Sequence, residues 1–299
     1  AVESLEKISF KEKQINFERL RIITLAKCYD RLEDKNTDKA FGYFVNANNL
    51  ALKTKNIKSI DKERYIEKIN VREKFFKDNE IKKWPVLKSF KENQEPVFLI
   101  GFPRSGTTLL DTILSCHPLI EVIEEKETVA KFIKSLDEIN KGDFNNLKNI
   151  DDSQLKLIRK IYLDSLKNEV KKQTNSKVYI DKLPLNTIHV GEIVRIFPNA
   201  KFIFSIRHPH DCVLSCFMQN FRLNDAMSNF LTLEDSAFLY DSVMRLWTRY
   251  KSIFSINYHE VKYEDLIENL DFVTKSIIHF LGLPWDNSLL NYYKAEKKK

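Results

Sequence analysis

The chain has 299 residues, of which 49 are basic and 42 acidic, giving a formal net charge of +7, and 43% are hydrophobic. This composition excludes collagen-like, low-complexity and broadly disordered chains. A chain of this length can bury roughly three quarters of its unfolded surface without a metal or disulfide staple.

Residues 1 to about 90 read as all-helical. Apolar residues recur at intervals of three and four: Leu20, Ile23, Leu25 and Tyr29, then Ala40, Phe44, Ala47 and Leu50. A polar turn, Glu33 to Thr37, separates the two runs. The pattern resembles a single tetratricopeptide-type helix pair, with a turn about two residues longer than that repeat uses. Residues 56–83 are rich in lysine and glutamate and read as helix, and Trp84-Pro85 and Glu95-Pro96 bracket a connection.

After Pro96 the pattern changes. Val97-Phe98-Leu99-Ile100 is an apolar run without polar alternation, as expected of a strand covered on both faces. Further strands are expected at Val178–Ile180, Lys201–Ile206 and, more weakly, Val261–Tyr263. Helices are expected at about 109–114, 154–171, 187–196, 209–221 and 270–281. The alternation predicts an α/β fold, a P-loop-like parallel sheet flanked by helices, preceded by an α-helical tetratricopeptide-like hairpin region.

Six glycines occur in the whole chain, and two of them, Gly101 and Gly106, frame the loop after the first strand, Gly-Phe-Pro-Arg-Ser-Gly-Thr-Thr. Glycines at this spacing let consecutive N–H groups point inward, and a helix N-terminus adds partial positive charge. Ser105, Gly106, Thr107 and Thr108 therefore form a candidate anion cradle, with Arg104 as its fixed cation. An ATPase loop needs lysine where Thr107 stands. That mismatch tells against a P-loop small-molecule kinase, the alternative enzyme, and leaves a non-catalytic interaction protein as the third reading.

The stretch from Pro96 to Val129 resembles the 5′-phosphosulfate loop of sulfotransferases that use 3′-phosphoadenosine 5′-phosphosulfate (PAPS). It is most similar to bacterial tetratricopeptide-repeat sulfotransferases and to tyrosylprotein sulfotransferases. The resemblance implies that Arg207, at the end of a strand, and Ser215, eight residues later, hold the 3′-phosphate. Gln219 stands where tyrosylprotein sulfotransferases carry a further arginine. The resemblance also implies that Lys182 reaches the transferring sulfonate and that Tyr263 lies near the adenosine. It makes Glu125 the general base, with Glu124 and Glu127 close by and with His189 and His117 as alternatives. Arg104 and Lys182 then stabilise developing charge. No carboxylate metal site is evident and none is expected to be needed.

On this reading, residues 1–92 form the helical region and residues 93–299 the sulfotransferase domain, whose C-terminal PAPS lid is missing beyond Lys297-Lys298-Lys299. The acceptor is a hydroxyl of a protein tyrosine, a carbohydrate or a small metabolite. The helical region is available to a protein partner. The 37 lysines and 12 arginines are scattered among carboxylates, so no nucleic acid is expected. Cys28, Cys116, Cys212 and Cys216 show no metal or CxxC spacing and read as free thiols. With no apolar stretch of membrane-spanning length and no signal-peptide pattern, the default location is cytoplasmic, off the membrane.

Overall fold

The computed structural model describes residues 2–11, 14–32, 36–54, 59–77, 81, 84, 95–170 and 176–296. The Glu33–Lys35 part of the expected turn, Pro85 and the closing lysines lie outside the described residues. The chain forms two compact units, residues 1–70 with 209–242 and residues 71–208 with 243–299.

In the first unit, helices Ile15–Arg31 and Thr37–Ala51 make the expected pair. The Asn36 side chain starts the second helix by accepting from the Lys39 N–H at 3.0 Å, which satisfies one of the unpaired first-turn donors. Ile22, Ile23 and Ala26 pack against Phe44, Ala47 and Phe217 in one apolar cluster. Leu25 and Ala40 are buried as the spacing predicts, whereas Leu20 is exposed. Asn48 is buried, and its Nδ2 donates to the Phe217 carbonyl at 3.0 Å.

The second unit is built on a five-stranded parallel sheet: β1 (Val97–Gly101), β2 (Ile120–Glu124), β3 (Val178–Lys182), β4 (Lys201–Ile206) and β5 (Asn257–Lys262). The order is β2-β3-β1-β4-β5, with every pairing parallel. β1 is central and wholly buried, which explains its uninterrupted apolar run.

Side chains alternate between the faces of a strand. Leu99, Ile180, Ile203 and Val261 pack with helices Thr107–Leu114 and Leu270–Leu281. The neighbouring positions point the other way. Phe98 stacks on Phe202 at 5.5 Å and lies 5.7 Å from Tyr162 of helix Asp152–Glu169. Phe204 stacks on Trp247 of helix Leu233–Ile253 at 4.4 Å. Both faces are therefore covered.

Helix starts and stops follow local chemistry. Asp151 and Gln154 close a capping box ahead of helix Asp152–Glu169, and Gly282 ends helix Leu270–Leu281 in the left-handed region. Several elements depart from the sequence expectation. β2 is a strand that no apolar run announced, and helices Thr128–Asn140 and Leu233–Ile253 were not expected. β5 starts earlier than expected and Tyr263 begins a helix instead of ending a strand.

A buried ion pair also belongs to this unit. Arg72 and Glu192 meet at 2.6 Å with both side chains at most 5% exposed. Burial alone would push the Glu192 carboxyl up, but Arg72 and His189 outweigh it and hold the carboxyl down at about 2.

Candidate active site

In parallel α/β sheets, ligands bind beyond the carboxyl ends of the strands. The register aligns those ends here: Glu124 pairs with Lys182, Leu99 with Lys182, and Gly101 with Ser205. All but one of the sequence-predicted residues lie in this unit.

The loop from Gly101 to Thr108 leaves β1 and enters helix Thr107–Leu114. Gly106 caps that helix with φ +99, and a Cβ there would come within 2.5 Å of the Tyr263 ring. Gly101 (φ +156) has no room for a Cβ either, because the Ser205 carbonyl and the Ser105 hydroxyl occupy the space. Thr187 fixes this glycine from the side. Its hydroxyl accepts from the Gly101 N–H at 3.0 Å and lies 2.8 Å from the Gly101 carbonyl. The Ser205 hydroxyl donates to the Ser105 carbonyl at 2.8 Å, while the buried Ser105 hydroxyl has no hydrogen-bond partner among the described residues. Arg104 is exposed and holds φ +69, a left-handed conformation that non-glycine residues adopt only when their surroundings impose it. Thr107 is buried and Thr108 exposed.

Lys182 ends β3 and is fully buried. A buried ammonium needs partners. It finds two, Glu124 Oε1 and Glu125 Oε1, each at 3.0 Å. The two carboxylates are themselves 44% and 58% exposed, so one side of the cluster is wet and the other dry. The Glu125 N–H donates to the Lys182 carbonyl at 2.8 Å. Glu125 has φ +51, so both Arg104 and Glu125 sit in left-handed backbone. Glu127 is exposed at the start of helix Thr128–Asn140.

Arg207 follows β4, and its guanidinium lies over the Tyr263 ring, 4.5 Å from the centroid. Gly106 is another neighbour of that ring. Tyr263 is thus a shared support for the loop and for Arg207. The His208 N–H donates to Glu264 Oε1 at 2.9 Å, which ties the chain after Arg207 to the same short helix. Ser215 is half-buried on helix Pro209–Phe217, in the first unit.

The alternative histidines are committed elsewhere. His117 is buried. Its Nδ1 accepts from the Leu119 N–H at 3.1 Å and its Nε2 lies 2.9 Å from the Pro284 carbonyl, so the proton sits on Nε2. His189 is held by Arg72 and Glu192. Two contributors were missed in the sequence, Thr187 and Asp181. The Asp181 carboxylate is buried beneath the glutamate turn, where its Oδ2 accepts from Thr128 Oγ1 at 2.5 Å and from the Tyr162 hydroxyl at 3.2 Å. Thr187 lies in the run after Lys182, and Asp181 alternates with Lys182 on β3; nothing in composition or spacing separates either from an ordinary packing residue.

The family description that matches this chain, Sulfotransferase family, spans residues 96–287, all five strands and the loop. The chain belongs to the sulfotransferase family. An uncharacterized protein of Aquifex aeolicus is 29% identical over 213 residues, covering 69% of this chain and 28% of that protein. Protein-tyrosine sulfotransferase A of Caenorhabditis elegans is 24% identical over 203 residues, covering 66% of this chain and 52% of its own length. The chain thus spans about half or less of the length of these relatives. A sulfotransferase structure from Mycobacterium tuberculosis aligns over 99% of this chain and 92% of its own at 13% identity, with a TM-score of 0.46. Among the described residues no helix is long and apolar enough to cross a membrane, and no group of three or more His, Cys, Asp or Glu side chains could hold a metal ion.

Proposed function

We propose that the protein transfers the sulfonate group of PAPS to an acceptor hydroxyl by in-line displacement, with Glu125 as general base. The observation that carries this reading is the Lys182 ammonium, buried at the strand end and shared by two half-exposed carboxylates. An ammonium so placed can face a sulfonate on one side while holding the carboxylate of the base on the other.

The residues present fit the donor. The glycine-framed loop has no room for side chains at Gly101 or Gly106, and the Ser105 hydroxyl is buried without a partner among the described residues. The first-turn N–H groups of the following helix have no intrahelical acceptors. When bound, PAPS supplies an activated sulfonate with a phosphate leaving group. Arg104, Ser105, Gly106, Thr107 and Thr108 would hold its 5′ end, and Arg207, backed by Tyr263, its 3′-phosphate.

Glu125 accepts the proton of the acceptor hydroxyl as the new O–S bond forms. The bond from sulfur to the bridging phosphate oxygen breaks, and that oxygen keeps the electron pair. Lys182 and Arg104 stabilise the charge that develops on it. The acceptor is a hydroxyl of a protein tyrosine, a carbohydrate or a small metabolite. We assign residues 1–92 to a helical region and residues 93–299 to the catalytic domain.

Thermal shift with adenosine 3′,5′-bisphosphate (PAP) against ATP plus magnesium tests the reading, since a ligand that binds only the folded state raises its stability. Stabilisation by PAP supports it, and a response to ATP alone refutes it. Glu125→Gln should keep PAP affinity and lower turnover of PAPS by about 100-fold or more. Equal loss of both would make Glu125 a structural residue.

A further inference from the structure

The segment that carries the candidate base is held at both ends by β3. At its start, Lys182 takes both glutamate carboxylates at 3.0 Å, and its carbonyl takes the Glu125 N–H at 2.8 Å. At its end, the Thr128 hydroxyl donates to Asp181 Oδ2 at 2.5 Å. Asp181 and Lys182 are successive residues of one strand, so their side chains leave opposite faces. One strand therefore grips residues 124–128 from two sides. Between the grips the chain is exposed from Glu124 to Glu127, and Glu125 is left-handed. Without its far anchor, the turn would relax toward ordinary backbone and swing the Glu125 carboxylate off its lysine.

Asp181 is fully buried, and Oδ1 has no partner among the described residues. Its strand neighbours in register are Phe98 and Ile123, and Phe132 packs against Tyr162 at 5.8 Å. The hydrogen bonds of a carboxyl in such a setting are strong and hard to replace with water. Burial raises this carboxyl to about 7, yet Oδ2 can accept from Thr128 in either protonation state.

We propose that Asp181 is a positioning residue for the Glu125 carboxylate, acting through the Thr128 hydroxyl. This inference rests on the reading of Glu125 as the base, but its geometric part can be tested without turnover.

The test uses the full chain and two substitutions at one site. Thr128→Val keeps the shape and removes the donor, and Thr128→Ser restores the donor. Carboxyl 13C NMR, with the Glu125 resonance identified through Glu125→Gln, should show that resonance displaced in Thr128→Val and back at the wild-type position in Thr128→Ser. In parallel, Thr128→Val should lower kcat with PAPS and a phenolic acceptor about tenfold while PAP affinity stays within about twofold of wild type. An unchanged Glu125 resonance in Thr128→Val overturns the proposal. So does a Thr128→Ser protein that behaves like Thr128→Val, or a loss of PAP affinity that matches the loss of kcat. If wild-type protein neither binds PAP nor turns over PAPS, the catalytic reading fails, while the NMR comparison still decides whether Asp181 and Thr128 set the position of Glu125.

Discussion

Replacing Asp181 with asparagine should change stability with a sign that depends on pH. Burial raises the carboxyl from 3.8 to about 7, and the hydrogen bonds from Thr128 and Tyr162 offset only part of that. In the native state Asp181 therefore keeps its proton up to about neutral pH, whereas in the unfolded chain it loses it near 4. Between these values the native state binds more protons, so the contribution of Asp181 to stability falls as pH rises. At 1.36 kcal/mol per pH unit, the full loss above pH 7 is about 4 kcal/mol. The asparagine in Asp181→Asn would carry no such charge, and its carbonyl can still accept from Thr128. Its NH2 group, however, would occupy the place of Oδ1, which has no partner among the described residues, at a cost of about 1–3 kcal/mol. The variant should therefore be less stable than wild type by about 1–3 kcal/mol near pH 4 and more stable by a similar amount near pH 8. All three tryptophans, Trp84, Trp247 and Trp285, belong to the unit that holds the sheet, so their fluorescence during urea unfolding at the two pH values reads that unit directly. A difference between variant and wild type that is the same at pH 4 and pH 8 would refute the reasoning.

Arg72→Met leaves Glu192 buried without its cation and should cost about 3–5 kcal/mol in the same unfolding assay, while adding Glu192→Leu should recover most of the loss. Gly106→Ala must adopt φ +99 and push against the Tyr263 ring; PAP affinity measured by calorimetry should fall tenfold or more, and an unchanged affinity would separate this glycine from the donor site. Gly191→Ala places a methyl group inside the Phe76 ring and should cost about 1–3 kcal/mol without altering PAP affinity. Arg207→Ala should weaken PAP binding, and calorimetry showing wild-type affinity would remove Arg207 from the 3′-phosphate.

The parts of the fold that were legible in the sequence are those with a dense local signal. β1 and β4 are apolar runs, and burial on both faces writes that pattern directly. Gly101 and Gly106 stood out because glycine is scarce. β2 carries no such apolar run because it is an edge strand that is only partly buried. Ile120-Glu-Val-Ile-Glu124 mixes apolar and acidic side chains according to chemistry as well as burial. Helix Thr128–Asn140 hides behind a glutamate-rich start without a side-chain cap. Of the cations the sequence singles out, Lys182 ends β3, Arg207 follows β4, and Arg104 lies inside the loop after β1. The ion contacts between Lys182 and the two glutamates, the support Tyr263 gives to Gly106 and Arg207, and the bond between Asp181 and Thr128 all depend on pairing across the sheet. No local pattern carries that information. The same holds for the contacts of His117 with Pro284 and of His189 with Arg72, which join residues far apart in the chain.

The central place of β1 has a consequence for how the chain is made. In register, Val97 pairs with Ile180 on one side and Lys201 on the other, and both partners come much later in the chain. During synthesis, this apolar strand emerges with both edges open and waits for a long stretch of chain before either is covered. Pairing of this kind is slow, because chain entropy must be given up before the contacts can form. Until then, the strand is open to association with other chains. Truncated products that end before β4 should therefore be insoluble, and the loop that follows β1 can take its native shape only once the second half of the sheet exists.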